Sequence, residues 1–394
     1  WPKQIVVNGS VLMDGKKMSK SMGNIIPLRS TIKKFNADSI RVAMLVLGEL
    51  LQDVDFSFTT LRGIYARLNE IYEFAINFHS KNQNVTRSKT IEIYSDVSES
   101  DLNTFTTFVN NLNLEDKWLL HRLNTTTAEV SKSFDEIRIR DALNTVLYLM
   151  DKDFEWYNKR RSSKEQSEIS EENYVSVVYI YLKYRIKMIS PFCPFLGEEV
   201  WNLLFGKEAN SQSIFNDSWP ESNKKLDNFV TEDNELMISN LLDDLNKILK
   251  VTKNTAIQKV YIYLASDNKK RLYKRMIDLV INTNSRNFGV LMKSLLSDPE
   301  ISEDEKKFIK SNTDLVKKIN EDILSLSPAE LSRRGEITYF DEKIPLADAK
   351  SLIANELKIQ PQNIEVFEEN DQQLVDPKNK SRFSRPYKPA IYIQ

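Results

Sequence analysis

The sequence predicts a mainly α-helical chain that ends in a small α+β unit, and three observations carry that reading. Only 9 of the 394 residues are glycine, well below average usage, which favours long helices over glycine-rich turns and barrels. Between residues 116 and 189, apolar side chains recur at three- to four-residue spacing or its multiples, the period of an amphipathic helix. Beyond residue 226 such stripes alternate with short β-branched and aromatic runs, the pattern of strands packed on helices.

At the start, Trp1-Pro2 and Val6-Val7-Asn8-Gly9 lead into Val11-Leu12-Met13-Asp14-Gly15, an aliphatic run broken by turn residues. A strand or hairpin entering a loop follows from that. The loop is Lys17-Met18-Ser19-Lys20-Ser21, continued by Met22-Gly23-Asn24. Two ammonium groups are compact charged donors for phosphoryl oxygens, two hydroxyls add neutral donors, and a glycine lets backbone approach closely. That chemistry suits a triphosphate, although two lysines and two serines taken alone are more often a solvated turn. After Ile25-Ile26-Pro27-Leu28 comes an amphipathic segment with Ile32, Phe35, Ala37-Asp38 and Ile40-Arg41-Val42, then Asp53, Asp55 and Phe56.

The middle predicts a helical bundle. Leu119, Leu123, Val130 and Phe134 form one stripe, Ala142, Val146, Leu149 and Phe154 a second, and Tyr174, Val177-Val178, Tyr181-Leu182 and Met188-Ile189 a third. Two neighbouring stripes bury themselves as an antiparallel pair, and a third closes the bundle. Pro191 and Pro194 should stop one helix, since proline lacks the amide donor and restricts its predecessor, and Glu198-Glu199 should favour the positive start of the next. Trp118, Phe192, Phe195 and Trp201 are expected as core anchors rather than base-stacking residues. Lys81 to Ser100 is expected as an exposed connection, and Lys207 to Asn228 as a domain boundary.

In the last part, Leu236, Leu241-Leu242, Leu245 and Ile248-Leu249 predict a helix, Lys259 to Leu264 a strand, and Arg271 to Val280 another helix. Ser302 with Glu305, and Ser327 with Glu330, are capping boxes. Pro328 takes the first helical position and Gly335 is available as a stop. Leu346 to Leu357 predicts a further helix, and Asn363 to Phe367 and Ala390 to Ile393 predict strands.

Composition excludes several classes of function. The single cysteine, Cys193, rules out an internal disulfide or a multi-cysteine zinc site within these residues, and His79 and His121 are read as helix-face or surface residues. No metal ligand set is expected. There is no run of eighteen apolar residues, so no membrane span is expected, and the expected compartment is the cytoplasm. With 55 basic against 56 acidic side chains, any contact with nucleic acid must use local charge. The clusters at Arg138 and Arg140, at Lys159-Arg160-Arg161 with Lys164, at Lys183, Arg185 and Lys187, and at Lys269-Lys270-Arg271 with Lys274-Arg275 are read as solvated helix faces. The tail differs: Glu365, Glu368, Glu369, Asp371 and Asp376 give way to Lys378, Lys380, Arg382, Arg385 and Lys388, with Phe383 and Tyr387 interleaved. Cations that neutralise phosphate beside rings that stack bases suit unpaired nucleotides.

The pentapeptide Lys17 to Ser21 resembles the second ATP-binding signature of class I aminoacyl-tRNA synthetases. Its flanks resemble the leucyl-tRNA synthetases of archaeal and eukaryotic cytosolic type. Asp116-Lys117-Trp118-Leu119-Leu120, Asp153-Phe154-Glu155-Trp156-Tyr157 and Ser190-Pro191-Phe192-Cys193-Pro194-Phe195 resemble, in order, phrases of the class Ia anticodon-binding bundle. Trp219-Pro220 is similar to the pair that ends that domain, and Pro389 to Ile393 is similar to the end of the archaeal-type enzymes. The resemblance implies the end of a class I catalytic core over residues 1–60, an anticodon-binding-type bundle over 61–225 and a C-terminal α+β tRNA-binding domain over 226–394. It further implies ATP as substrate with Mg²⁺, and leucine and the leucine tRNA as partners of an intact, monomeric enzyme. Lys20 and Lys17 would act catalytically, Met18, Ser19 and Ser21 would complete the ATP loop, and Lys378, Lys380, Arg382, Phe383, Arg385, Tyr387 and Lys388 would meet tRNA. The family's first histidine-containing signature, amino-acid pocket and editing domain find no counterpart in these residues, so a C-terminal portion, inactive alone, is expected. Rival readings are an isoleucyl, valyl or methionyl ligase, or a non-catalytic tRNA-binding protein derived from a synthetase.

Overall fold

The computed structural model describes residues 1, 5, 7, 9–49, 52–85, 102–206, 213–223, 226–252, 257–338 and 340–394. Pro2, Val6 and Asn8 of the opening segment, most of the connection expected over Lys81 to Ser100, and residues 207–212 of the expected boundary lie outside them. The chain divides into two compact units, Trp1–Arg161 with Glu165–Asp227, and Asn228–Gln394 with Ser162–Lys164.

The first unit begins with a small sheet. Strands β1 (Val11–Met13) and β2 (Lys16–Lys17) form an antiparallel hairpin, and β3 (Val54–Phe56) runs parallel to β1, giving the order β2-β1-β3. The two-residue turn, Asp14 at φ 53° and Gly15 at φ 71°, has both centres left-handed, as a tight hairpin turn requires. Between the sheet's strands lie α1 (Leu28–Phe35) and α2 (Ala37–Val46). The bundle follows as α3 (Phe58–Asn82), α4 (Leu102–Asn110), α5 (Leu114–Asp135), α6 (Ile139–Asn144), α7 (Met150–Ser162), α8 (Glu171–Ile189) and α9 (Pro194–Phe205). Helix α3, outside the three stripes considered above, buries Leu61, Ile64, Leu68, Ile71, Ala75 and Phe78, and Ser57 caps its start.

Helix α8 is buried on nearly all sides, as expected of a helix at the centre of a bundle. Its charges are therefore not a solvated face. Arg185 and Lys187 are buried, as is Arg160 on α7, and Arg185 donates to both oxygens of Asp151 at 2.6 and 2.8 Å. Helices α6 and α7 are joined by a π-helical turn, Thr145–Leu149. A π turn releases carbonyls from the helical ladder, and here the Leu147 carbonyl accepts from Arg67 at 2.9 and 3.0 Å.

Pro191 and Pro194 separate α8 from α9 as expected, but two details differ. Glu198 lies beyond the first turn of α9 and accepts from Ser213 Oγ and the Ile214 amide instead. Phe195 is 69% exposed, whereas Trp118, Phe192 and Trp201 are buried. The buried positions of α9 are Gly197, Val200, Trp201, Leu204 and Phe205, and Phe195 falls out of phase with that stripe.

The second unit surrounds the sheet β5-β4-β6 with helices. Central β4 (Val260–Leu264) is fully buried, pairs parallel with β5 (Ile364–Glu368) and antiparallel with β6 (Ala390–Ile393). Helix α10 (Phe229–Thr252) precedes β4. Helices α11 (Asp267–Thr283), α12 (Phe288–Ser297), α13 (Glu303–Ser311), α14 (Thr313–Leu324), α15 (Pro328–Glu336), α16 (Lys343–Asp348) and α17 (Lys350–Leu357) separate β4 from β5. Both capping boxes form, at Ser302 with Glu305 and at Ser327 with Glu330. Gly335 does not end α15. It lies inside the helix, where a Cβ would come within 2.5 Å of Ile281 Cδ1, so it serves close packing against α11. The expected helix over Leu346 to Leu357 is two, broken at Ala349.

Candidate functional site

The loop after β2 is a self-bonded turn on an otherwise exposed stretch. The Asn24 side chain closes it, accepting from the Ser19 amide at 2.8 Å and donating to the Lys17 carbonyl at 3.1 Å. The Gly23 amide donates to the Lys20 carbonyl at 3.2 Å, and Gly23 takes φ 66°, a conformation glycine adopts without steric cost. Ser19 Oγ lies 3.2 Å from Ser21 Oγ and accepts from the Met22 amide. Lys17, Lys20 and Ser21 are exposed, and neither ammonium has an ion-pair partner among the described residues. Two uncompensated cations and two hydroxyls thus share one short loop, an arrangement that can receive polyphosphate oxygens.

Carboxylates hold this loop's base from behind. Asp53 Oδ1 accepts from the Ser10 amide at 2.6 Å, and Asp55 Oδ2 accepts from the Gly15 amide at 3.1 Å, so the acidic turn at β3 fixes the hairpin. Downstream, α2 is fastened to the bundle. Arg41 donates to the carbonyls of Phe192 and Pro191 at 3.1 and 3.2 Å, and Asp38 Oδ2 accepts from the Leu196 amide at 2.7 Å. Burial raises the Asp38 carboxyl above its ordinary value, against the Leu196 and Phe195 amides.

In the second unit the structure divides the expected tail set. Tyr387 is 7% exposed, stacks on Phe340 with ring centres 3.9 Å apart, and lies under the Arg334 guanidinium, while its amide donates to Glu342 at 2.7 Å. It is a core anchor held by these partners, and it takes a left-handed φ of 64°, uncommon for a residue with a side chain. Arg385 and Lys388 each donate to Asp322 at 2.6 Å. Lys378, Lys380, Arg382 and Phe383 remain outward, as does Lys388 despite its bond to Asp322. Phe383 is 42% exposed, with Arg382 4.7 Å and Lys380 5.8 Å from its ring centre. A further cation comes from α14: Lys318 also lies 5.8 Å from that ring. Sequence position gives no hint of Lys318, which reaches the tail only through the fold.

Both histidines lie on helices, and His121, on α5, is buried rather than at the surface. His79 Nδ1 lies 2.9 Å from the Tyr179 hydroxyl. Cys193 is buried, which pushes its thiol well up. Among the described residues no group of three or more His, Cys, Asp or Glu side chains could hold a metal ion, and no helix is long and apolar enough to cross a membrane.

Comparison with known proteins adds the following. Residues 116–262 match the anticodon-binding domain of tRNA ligase, and residues 1–82 match a family described as tRNA synthetases class I (M). A leucine–tRNA ligase of Methanococcoides burtonii is 29% identical over 394 residues, covering 100% of this chain and 36% of the relative. A leucine–tRNA ligase of Pyrococcus abyssi is 27% identical over 396 residues, covering 100% of this chain and 34% of the relative. The chain spans about a third of the length of the curated relatives it matches. A solved ternary complex of LeuRS, tRNA and LeuAMS from Agrobacterium radiobacter aligns with 66% of this chain at TM-score 0.43 and 16% identity. The similarity to leucine–tRNA ligases therefore runs from end to end, as the loop and its flanks lead one to expect.

Proposed function

We propose that this chain is the C-terminal portion of a leucyl-tRNA synthetase, which activates leucine with ATP and transfers it to the leucine tRNA. The observation that carries the reading is the end-to-end similarity to leucine–tRNA ligases, found in a chain whose Lys17 to Ser21 loop is intact and exposed. In activation, the leucine carboxylate attacks the α-phosphorus, the bond to the bridging oxygen breaks, and negative charge gathers on the departing pyrophosphate. Lys20, with Lys17, meets that charge, and Ser19 and Ser21 donate beside them. Gly23 and Asn24 set the turn. Mg²⁺ would arrive on the phosphates of the nucleotide.

The bundle would meet tRNA by shape and backbone contact, and Lys378, Lys380, Arg382 and Phe383 would take an unpaired segment of the tRNA's variable arm. Lys388, exposed beside Asp322, would stand with them, and Arg385 and Tyr387 would support them from beneath. The intact enzyme would act as a cytoplasmic monomer. The class I (M) match over residues 1–82 favours a second reading, a methionyl ligase, against which stand leucine–tRNA ligases similar over the whole chain.

The test is amino-acid-dependent pyrophosphate exchange by the full-length protein, with leucine, methionine, isoleucine and valine offered separately. Exchange driven by leucine and charging of the leucine tRNA are expected. Exchange driven by methionine instead would replace the leucyl reading with the methionyl one. The 394-residue chain on its own should drive no exchange, and exchange by it would contradict the proposed division of labour.

A further inference from the structure

The exposed tail cations stand on a segment whose shape is set from within by a buried lysine. Lys269, in the first turn of α11, is only 2% exposed. Its ammonium donates to the backbone carbonyls of Arg382 and Ser384, both at 2.9 Å, and forms an ion pair with Glu369 at 2.9 Å. An ammonium has three donors and no acceptor; two of them go to these carbonyls, and Glu369 balances the charge. Both carbonyls are main-chain atoms of the very turn that carries Arg382 and Phe383. The same turn is held at its start by Asp376, which accepts from the amides of Lys380 and Ser381 at 2.8 and 2.7 Å. Ser384 Oγ adds a bond to the Leu264 carbonyl at the end of β4, at 3.1 Å. A surface lysine with a free head group would cost the fold far less than this one, whose charge is desolvated.

We infer that Lys269 is a positioning residue for tRNA: from inside the fold, with Ser384, it holds the turn that presents Lys380, Arg382 and Phe383, so that they meet the nucleic acid already arranged. This rests on the proposed contact between the tail and tRNA. Preorganisation raises affinity by removing the ordering cost from the binding step. Release of the turn should therefore weaken binding although no group that touches RNA has changed.

The experiment measures leucine-tRNA binding by the full-length enzyme at several salt concentrations, with leucine-dependent pyrophosphate exchange and a thermal melt alongside. The variant is Lys269→Met with Glu369→Gln, which avoids stranding a lone buried charge. Ser384→Ala loosens the same turn without touching a charge and serves where the first variant does not fold. Either variant should raise the Kd and the KM for tRNA by about 5- to 10-fold, the order expected from preorganisation. Pyrophosphate exchange and kcat should stay unchanged, and so should the dependence of log K on log salt, since the phosphates neutralised in the complex are the same. Lys269→Arg, which keeps a cation there, should recover part of the loss. Lys380→Ala with Arg382→Ala is the control for the tail's own touch on tRNA. If the control weakens binding while the Lys269 and Ser384 variants bind like wild type, Lys269 has no positioning role and the tail's role in binding stands. If the control also binds like wild type, the tail does not meet tRNA and this inference falls with it.

Discussion

The two cationic segments of this chain are built in opposite ways. In the loop at Lys17 to Ser21 the backbone bonds to itself and the ammoniums of Lys17 and Lys20 are left without acidic partners among the described residues, while Asp53 and Asp55 hold the hairpin only through its amides. In the tail, acids are threaded among the cations: Asp322 takes Arg385 and Lys388, Glu369 takes Lys269, and only the outermost side chains stay open. A charge meant to meet a small, highly charged ligand must be strong and uncompensated, whereas a surface for a polymer can divide its charges between holding its shape and touching its partner. Count alone hides this, since the tail carries more cations than the loop.

Four measurements would break or sharpen that contrast. The largest effect is expected from Lys20→Ala in the full-length enzyme, which should slow leucine activation by roughly 10²- to 10³-fold with little change in the KM for leucine, because the interaction strengthens as charge develops. Single-turnover activation within a few-fold of wild type would remove Lys20 from the mechanism. Next, Lys380→Ala, Arg382→Ala and Phe383→Ala together should weaken tRNA binding by about 10- to 100-fold and flatten the salt dependence by roughly 0.7 to 0.9 for each phosphate no longer neutralised. Pyrophosphate exchange should not move. Deleting residues 378–394 is the poorer test, since it also removes β6 from beside β4 and Tyr387 from the core.

The third measurement concerns the acid under the tail. Burial pushes the Glu342 carboxyl from 4.5 up to about 7, against the Tyr387 and Ala265 amides and the charge of Lys270, with Glu368 adding to the rise. The folded state therefore holds the proton more tightly than the unfolded state, and stability should fall as pH rises from about 4.5 to about 7. Denaturant melts of Glu342→Gln should show that slope reduced by on the order of 1 to 2 kcal/mol across the window. An unchanged slope would mean that Glu342 ionises freely. Asp116, pushed by burial from 3.8 to about 6, works in the same direction in the first unit and is untouched by that variant. The smallest effect belongs to Asp322→Asn, which should cost about 1 kcal/mol in a urea melt and steepen the salt dependence of tRNA binding as Arg385 and Lys388 are released. If the salt dependence stayed the same, those two cations would have no reach to phosphate.

Much of this was legible in the residues themselves. Apolar spacing marks α5 and α8, the two capping boxes mark α13 and α15, and the β-branched runs mark β4, β5 and β6, because each is decided by local preference; the second stripe instead runs from α6 through the π turn into α7, and its Leu149 is exposed. The loop was legible because all five of its residues follow one another. What spacing could not show is which side of the fold a charge faces. Lys269 and Arg185 sit in lysine- and arginine-rich stretches that look solvated, and only the carbonyls and carboxylates brought to them by distant segments reveal that they are buried. Tyr387 and Phe195 exchange their expected places for a similar reason: Phe340, Arg334 and Glu342, distant in sequence, enclose one, and a shift of phase along α9 turns the other outward.

The fastening of the loop has a consequence for how it meets phosphate. Arg41 and Asp38 tie α2 to the Pro191 to Leu196 corner, and Thr31 and Phe35 bury one side of α1, so the loop is followed by anchored helices. On its other side Lys17 is paired with Leu12 in the hairpin, and the bonds from Asn24 to Ser19 and Lys17, and from Gly23 to Lys20, bind the loop back to that strand. The two ammoniums therefore issue from one braced stretch of backbone, and incoming phosphates would be met by a pair whose spacing at the main chain is already set rather than by a search of two independent segments.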